Sequence, residues 1–260
     1  MLITLTHIDT ACVLLDINGY RIMVDPTLDR AGHLYYHGFG AVSRKTGNPA
    51  IKRSQLPPVD MVLLTHHQHK DNFDHEGRRY TSQIPLVFST RAAAKAIPGI
   101  IGLSDWESRE VATTLVPGLK ITATPAQHHP WWIPGFVSGS VIGFIVETSI
   151  ASNVIYITGD TVFFRGIVDV AKRFRVSTAI IHAGSVQFRY LTGFGKYTMG
   201  GRDLLRTARC LQPQRIIPVH FDGWTHFKEK KAVLRRVIES DEQICKKTIF
   251  PEAGIPMVIS

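Results

Sequence analysis

The sequence predicts a mixed α/β domain in which two sheets pack face to face with helices outside. Two observations carry this. Hairpin-type strands dominate the first half of the chain, whereas strands alternate with helices in the second. A composition of 44% hydrophobic and 20% charged residues adds enough apolar material for a large core. No linker-like stretch, low-complexity tract or obvious repeat divides the chain, so residues 1–260 read as a single domain.

Residues 2–25 read as strands. Asn18-Gly19 lies between two apolar runs, which is the strongest short hairpin signal. Residues 27–58 mix glycine, proline, aromatics and bases without a period, and read as a long surface loop. Residues 60–65 form a short buried strand that runs into a histidine cluster. Further strands are expected at 85–89, 111–116, 119–124, 141–147, 153–158, 178–182 and 215–220. Helices are expected at 91–97, 165–175, 201–211 and 226–239, with a second glycine- and aromatic-rich loop at 184–200.

Lys plus Arg exceed Asp plus Glu by 30 to 21, giving +9 and a pI near 9.6. Such a surplus attracts phosphorylated metabolites, nucleic acid or an acidic membrane, or simply aids solubility. The local clusters at 228–231 and 235–236 fall in an expected helix, where a solvated face accounts for them. No apolar run reaches the roughly 18–20 residues that span a bilayer. The first residues lack the basic and apolar regions of a secretion signal. Cys12, Cys210 and Cys245 are odd in number and form no C-x-x-C pair, as in buried thiols of a reducing compartment. A cytoplasmic protein is expected.

The chemistry lies at strand ends. His67 and His69 are two apart, so in an extended segment they project to one side, and Asp71 continues that side. His128 follows the strand at 119–124, Asp160 follows Gly159 after the strand at 153–158, and His220 ends the strand at 215–220. Four strand ends could thus deliver six His and Asp side chains to one point at a sheet edge. Imidazoles and carboxylates in that mixture suit Zn²⁺, Mn²⁺ or Fe.

The order H-x-H-x-D, then His128 after Thr-Pro-Ala, then Gly159-Asp160-Thr161, then Val219-His220, resembles the metallo-β-lactamase superfamily. With residues 67–74 and 219–227 included, it is similar to the branch near the ascorbate-6-phosphate lactonases and N-acyl-phosphatidylethanolamine phospholipases D. The resemblance covers about residues 2–258. It implies a four-layer αββα sandwich with metal in a cleft at the sheet edges. It also implies that His67, His69 and His128 hold a first divalent ion, that Asp71 and His220 hold a second, and that Asp160 bridges them. The family motif ends Asp-His, whereas position 72 here is Asn. Asn72 itself, His66, Asp74, His75, His182 and His226 are the residues available to complete the second site.

Other candidates carry two readings each. Asp25, before Pro26, is an acceptor for a ligating histidine or a turn residue. His226 is a proton donor in the cleft or a residue at the start of the last helix. His182 ends a buried strand as a functional group or a satisfied core histidine. His7, His33, His37, His75 and His129 read as loop or surface histidines. Trp131, Trp132, Tyr35, Tyr36, Phe188 and Tyr190 wall a pocket or pack their loops; Arg189, Lys196 and Arg202 hold a substrate anion or are simply exposed.

The expected activity is that of a metal-dependent hydrolase, with one or two Zn or Mn ions (or Fe). A metal-bound hydroxide attacks a small, anionic ester, lactone or phosphoester, and Asp71 or His226 handles the proton. A nucleic-acid phosphodiesterase and a non-catalytic metal- or ligand-binding protein are the alternatives. Pocket shape, and so the substrate, depends on the loops at 27–58, 130–139 and 184–200, which carry no readable code.

Overall fold

A computed structural model describes residues 1–149 and 154–260. The chain begins with an antiparallel meander: β1 (Ile3–Asp9), β2 (Cys12–Ile17) and β3 (Tyr20–Val24). Asn18 and Gly19 both take positive φ in the turn between β2 and β3, as the dipeptide predicts. Next come a hairpin, β4 (Leu34–Gly38) and β5 (Ala41–Arg44), then β6 (Met61–Leu63), α1 (His75–Thr81), β7 (Leu86–Thr90), α2 (Arg91–Ala96) and β8 (Ile101–Leu103). The second half holds β9 (Ser108–Glu110), β10 (Lys120–Pro125), β11 (Ile142–Glu147), β12 (Ile155–Ile157) and α3 (Arg165–Arg173). It continues with β13 (Thr178–His182), α4 (Arg189–Thr192), α5 (Gly201–Leu211), β14 (Arg215–Val219), α6 (Lys231–Ile238), α7 (Glu242–Lys247) and β15 (Met257–Val258).

Seven strands form one sheet in the order β15-β1-β2-β3-β6-β7-β8, and six form another in the order β14-β13-β12-β11-β10-β9. The inner faces meet in one core, where Leu15, Ile22 and Leu63 of the first sheet share a cluster with Ile121, Phe144 and Ile157 of the second. Burying side chains of this size stabilises by about 1.5–3 kcal/mol each. The outer face of the second sheet is covered by α3, α5, α6 and α7 through Ile167, Leu204, Leu234 and Ile244. The outer face of the first carries a smaller cluster with Val62, Leu64, Phe73 and Val87, beneath α1 and α2. This is the expected αββα sandwich. Among the described residues no helix is long and apolar enough to cross a membrane.

Three local differences have physical causes. The segment 111–116 is not a strand: Val111 and Val116 are buried, but the chain turns at Pro117-Gly118 and Leu119 donates back to the Val116 carbonyl at 3.2 Å. The segment 27–58 contains the β4–β5 hairpin, which turns through Phe39 and Gly40, both at positive φ. The short helix α1 starts where the Asp74 carboxylate accepts from the Gly77 amide at 2.8 Å. The strand expected at 153–158 appears as β12, and Asn153 lies outside the described residues.

The topology fixes where function can sit. β3 and β6 run parallel, as do β12, β13 and β14, and β10 runs in their sense because each is antiparallel to β11 or one step from it. Their C-terminal ends therefore open at one edge of the sandwich, where ligands of open α/β sheets also collect.

Candidate metal centre

Six side chains, all buried but the half-buried His69, converge at that edge. Nε2 of His66, Nδ1 of His69 and Nε2 of His128 form one group, with His69 Nδ1 3.1 Å from each of the other two. Asp71, Asp160 and His220 form a second group beside it. Asp160 lies between them: Oδ2 is 4.0 Å from His66 Nε2 and 3.9 Å from His128 Nε2, while Oδ1 is 3.4 Å from His220 Nδ1.

The elements aim these groups. His66 follows β6 by three residues and is fully buried. Thr65 donates its amide to Asp25 Oδ1 at 2.7 Å and its hydroxyl to Asp25 Oδ2 at 2.8 Å. With its hydrogen so used, the Thr65 hydroxyl accepts from His66 Nδ1 at 3.0 Å, which leaves the lone pair on Nε2. His128 Nδ1 donates to the Tyr197 carbonyl at 2.8 Å, so its Nε2 also presents a lone pair. Asp160 follows Gly159, whose φ is +62° and where a Cβ would stand 2.6 Å from the Ile142 carbonyl oxygen; only glycine fits this close crossing. His220 follows β14 and is held at φ 59°, an uncommon conformation for a side chain this size.

Around this lies a supporting network. Asp25, fully buried at φ 42°, also accepts from Asn72 Nδ2 at 3.1 Å and lies 3.3 Å from His182 Nε2. Asn72 Nδ2 reaches Asp160 Oδ1 at 3.4 Å, so this amide ties two carboxylates together. His226 Nε2 meets Asp71 Oδ2 at 2.9 Å and its ring stacks on Phe188.

Electrostatics match the geometry. Burial and neighbouring imidazoles hold His66 and His69 well below the usual histidine range, and burial lowers His128 and His220 to about 4. All four are therefore neutral donors at neutral pH. Burial, then the charges of Asp71 and Asp25, push Asp160 well above the carboxylate range. Burial would raise Asp71 too, but His220 and His226 beside it hold it well below. The lone pairs on His66 Nε2 and His128 Nε2 both face His69 Nδ1 at 3.1 Å, next to an Asp160 Oδ2 with no hydrogen-bond partner among the described residues, a grouping that a cation would satisfy. The donor set fits a divalent ion of the Zn, Mn or Fe type.

A pH dependence follows. In the unfolded chain a histidine takes up its proton near pH 6.5, while His128 and His220 in the folded, metal-free protein do so only near 4. The unfolded state thus binds more protons in that window, so stability is complete above about pH 6.5 and falls as the pH drops toward about 4. Melting curves of chelator-treated protein should show a falling Tm across this range; a flat or rising Tm contradicts the depressed values.

Of the six residues singled out in the sequence, the structure brings together His69, Asp71, His128, Asp160 and His220. His67 is not among them. It is half-buried, its Nδ1 has no hydrogen-bond partner among the described residues, and Arg78 and Lys70 are charges near it. His66 holds the place instead. The segment coils after Thr65, with the Phe73 amide donating to the His69 carbonyl at 3.0 Å, so i and i+3 share a side rather than i and i+2. Asp25 and His182 are in the surrounding network, and Asp74 and His75 lie at α1. His37, expected as a loop or surface histidine, also lies at the site. The β4–β5 hairpin buries it, Nε2 lies 2.6 Å from the Ser43 hydroxyl, and Nδ1 is 3.9 Å from Asp71 Oδ1. Burial lowers it to about 4.

A pocket of about 230 Å³ opens over the centre, with His69, Asp71 and His128 at its floor. Its walls are chiefly Phe39, Val137, Val186, Phe188, Leu191 and Tyr197, and among the described residues no lysine or arginine lines it. Lys196 instead pairs with Asp203 and Glu229, and Arg189 lies over the Phe194 ring.

Known proteins resemble this chain in sequence and fold. Residues 20–221 match the Beta-lactamase superfamily domain. A UPF0173 metal-dependent hydrolase of Methanoculleus marisnigri is 27% identical over 214 residues, covering 80% of this chain and 87% of that protein. The isothiocyanate hydrolase from Delia radicum gut bacteria superposes with a TM-score of 0.80 at 25% identity, over 98% of both chains. A possible metal-dependent hydrolase from Veillonella parvula gives a TM-score of 0.83 at 22% identity over 99% of both chains, a likeness of fold. The match over most of its length, together with the αββα sandwich and the buried His and Asp groups at its edge, places this chain in the β-lactamase superfamily.

Proposed function

We propose that this metal-dependent hydrolase cleaves a small, neutral, largely apolar electrophile, and that its metal ligands are His66, His69, His128, Asp160, Asp71 and His220. The observation that supports the ligand set most is the approach of His69 Nδ1 to 3.1 Å from the lone-pair nitrogens of His66 and His128, beside two buried carboxylates. His66, His69 and His128 would hold a first ion, Asp71 and His220 a second, with Asp160 between. A bound divalent ion supplies an acidified water and polarises the bond under attack.

The chain's own groups do the rest. Thr65 and the Tyr197 carbonyl orient the imidazoles, and Asp25 fixes Thr65 and Asn72. His226 Nε2, on Asp71 Oδ2, is placed to hold or pass on a proton. His37, clamped by Ser43, presents Nδ1 to the pocket as a hydrogen-bonding group for a substrate heteroatom.

The substrate class follows from the walls. With no lysine or arginine among its described lining residues, the pocket sets no cationic side chain against an anion, whereas Phe39, Phe188 and Leu191 favour an apolar body. This shifts the reading from anionic phosphoesters toward apolar isothiocyanates, esters and lactones. The likeness to an isothiocyanate hydrolase makes isothiocyanates the first to try. Turnover of apolar isothiocyanates, esters, lactones and anionic phosphoesters should be compared before and after chelation and metal return. The proposal expects chelator-sensitive hydrolysis, with kcat/KM for apolar substrates at least about tenfold above the anionic ones. Turnover that survives complete metal removal overturns the metal reading, and preference for phosphoesters overturns the substrate reading.

A further inference from the structure

Every large aromatic side chain exposed among the described residues lies on three segments around the pocket mouth. The β4–β5 hairpin carries Tyr36 and Phe39, residues 129–141 carry Trp131, Trp132 and Phe136, and the α4 region carries Tyr190 and Phe194. Their exposures run from 52% for Trp132 to 84% for Trp131. The segments touch. Tyr190 bonds the Val42 amide and Gly40 carbonyl through its hydroxyl, and Gly195 lies against Pro130 and Trp132.

Each such ring can bury 150–250 Å², so the set exposes on the order of 1,000 Å². The largest apolar patch of an ordinary monomer is about 300–600 Å². A stable protein–protein interface needs about 800 Å² from each partner. The composition points the same way. Residues 30–45, 129–141 and 188–197 contain no aspartate or glutamate, and their exposed cations, Arg30, Arg44 and Arg189, are all arginine. Aromatics and arginine enriched, with acids and free lysine depleted, is the composition of protein interface cores. A lipid-docking surface gathers about 4–8 lysines or arginines around its apolar face, whereas these segments expose only Arg30, Arg44 and Arg189. The described chain has no second aromatic surface that a different site on a neighbour could fill, so the match is self-complementary and closes as a two-fold pair.

We propose that this surface joins two copies of the chain, and that each copy's aromatic loops wall the open side of the other's pocket. Phe39 and Leu191 belong both to the surface and to the pocket lining, so the pocket mouth lies within the joined face. The pairing does not depend on the metal or substrate reading.

The test is the solution mass of the full chain by sedimentation velocity, with the triple variant Trp131→Glu, Phe136→Glu, Phe194→Glu beside it. The wild type should sediment at twice 29.0 kDa at low micromolar concentration. The variant should be monomeric, dimerising at least about 100-fold more weakly, with unchanged circular dichroism and metal content. A wild type that stays monomeric at about 50 μM, or a folded variant that still dimerises, overturns the proposal. So does a monomer that co-sediments with phosphatidylglycerol vesicles, which would assign the surface to lipid. If the variant misfolds, hydrogen exchange of the wild type decides. Protection rising with concentration at 34–44, 131–136 and 190–194 supports the pairing, and protection elsewhere refutes it.

Discussion

Replacing His66 by alanine abolishes tight metal binding and lowers turnover by about a thousandfold or more, whereas His67→Ala leaves both within a few-fold of wild type. The two residues are neighbours with the same side chain, so composition and general surface effects cancel between them. His66 Nε2 lies 3.1 Å from His69 Nδ1 with its Nδ1 fixed by Thr65, while His67 belongs to neither group of ligands. Loss of one imidazole from a three-imidazole site removes an anchoring bond and leaves the other two to face Asp160 alone. Metal analysis after dialysis, with turnover on whichever substrate the panel identifies, measures the difference. Equal losses in the two variants, or a larger loss at His67, would return the site to the strict H-x-H-x-D reading.

Replacing Lys45 by methionine costs about 3–5 kcal/mol of stability, the range for leaving buried charges without their partner. Lys45 follows β5, its side chain is fully buried, and its ammonium ion-pairs with Asp9 at the end of β1 and with Asp74 at 3.4 Å. Burial alone would lower the Lys45 pKa; the two carboxylates more than offset it and hold it above the usual lysine value. Asp74 Oδ2 also receives the Asp29 amide at 2.7 Å, and its other oxygen caps α1. One ammonium thus binds the first strand, the hairpin that carries His37, and the segment that carries Asp71. A Tm drop of roughly 10 °C is expected at this size. The exposed Lys52→Met serves as the control, with a change within about 0.5 kcal/mol. Equal melting of the Lys45 and Lys52 variants would show that the buried cluster is not needed for stability.

Much of the fold was legible because strands and helices announce themselves by period. The Asn18-Gly19 turn and the α5 helix fall where the sequence puts them. The convergence of His128, Asp160 and His220 was legible for a related reason: each follows an apolar run, and strand ends are stiff places to mount a ligand. What failed was local geometry. Pairing His67 with His69 requires an extended backbone through residues 66–71, whereas the coil after Thr65 sets His66 beside His69. His66 could have been found by asking which histidine directly follows the strand. His37 was hidden for a different reason. It sits in a hairpin whose register shifts between Tyr36 and Gly38, so no alternation survives to mark it. The role of Asn72 is a matter of contact rather than residue type. An amide can ligate through oxygen or tie carboxylates through nitrogen, and only the positions of Asp25 and Asp160 decide that.

The central claim is that six named side chains hold metal at the sandwich edge. Crystals of the metal-loaded protein, measured on both sides of the bound metal's absorption edge, test it most directly. The claim predicts an anomalous peak within about 2.0–2.2 Å of His66 Nε2, His69 Nδ1 and His128 Nε2. A second peak, where present, should lie among Asp71, Asp160 and His220. A peak coordinated by His67, or loaded crystals with no anomalous density between His66, His69 and His128, would contradict it.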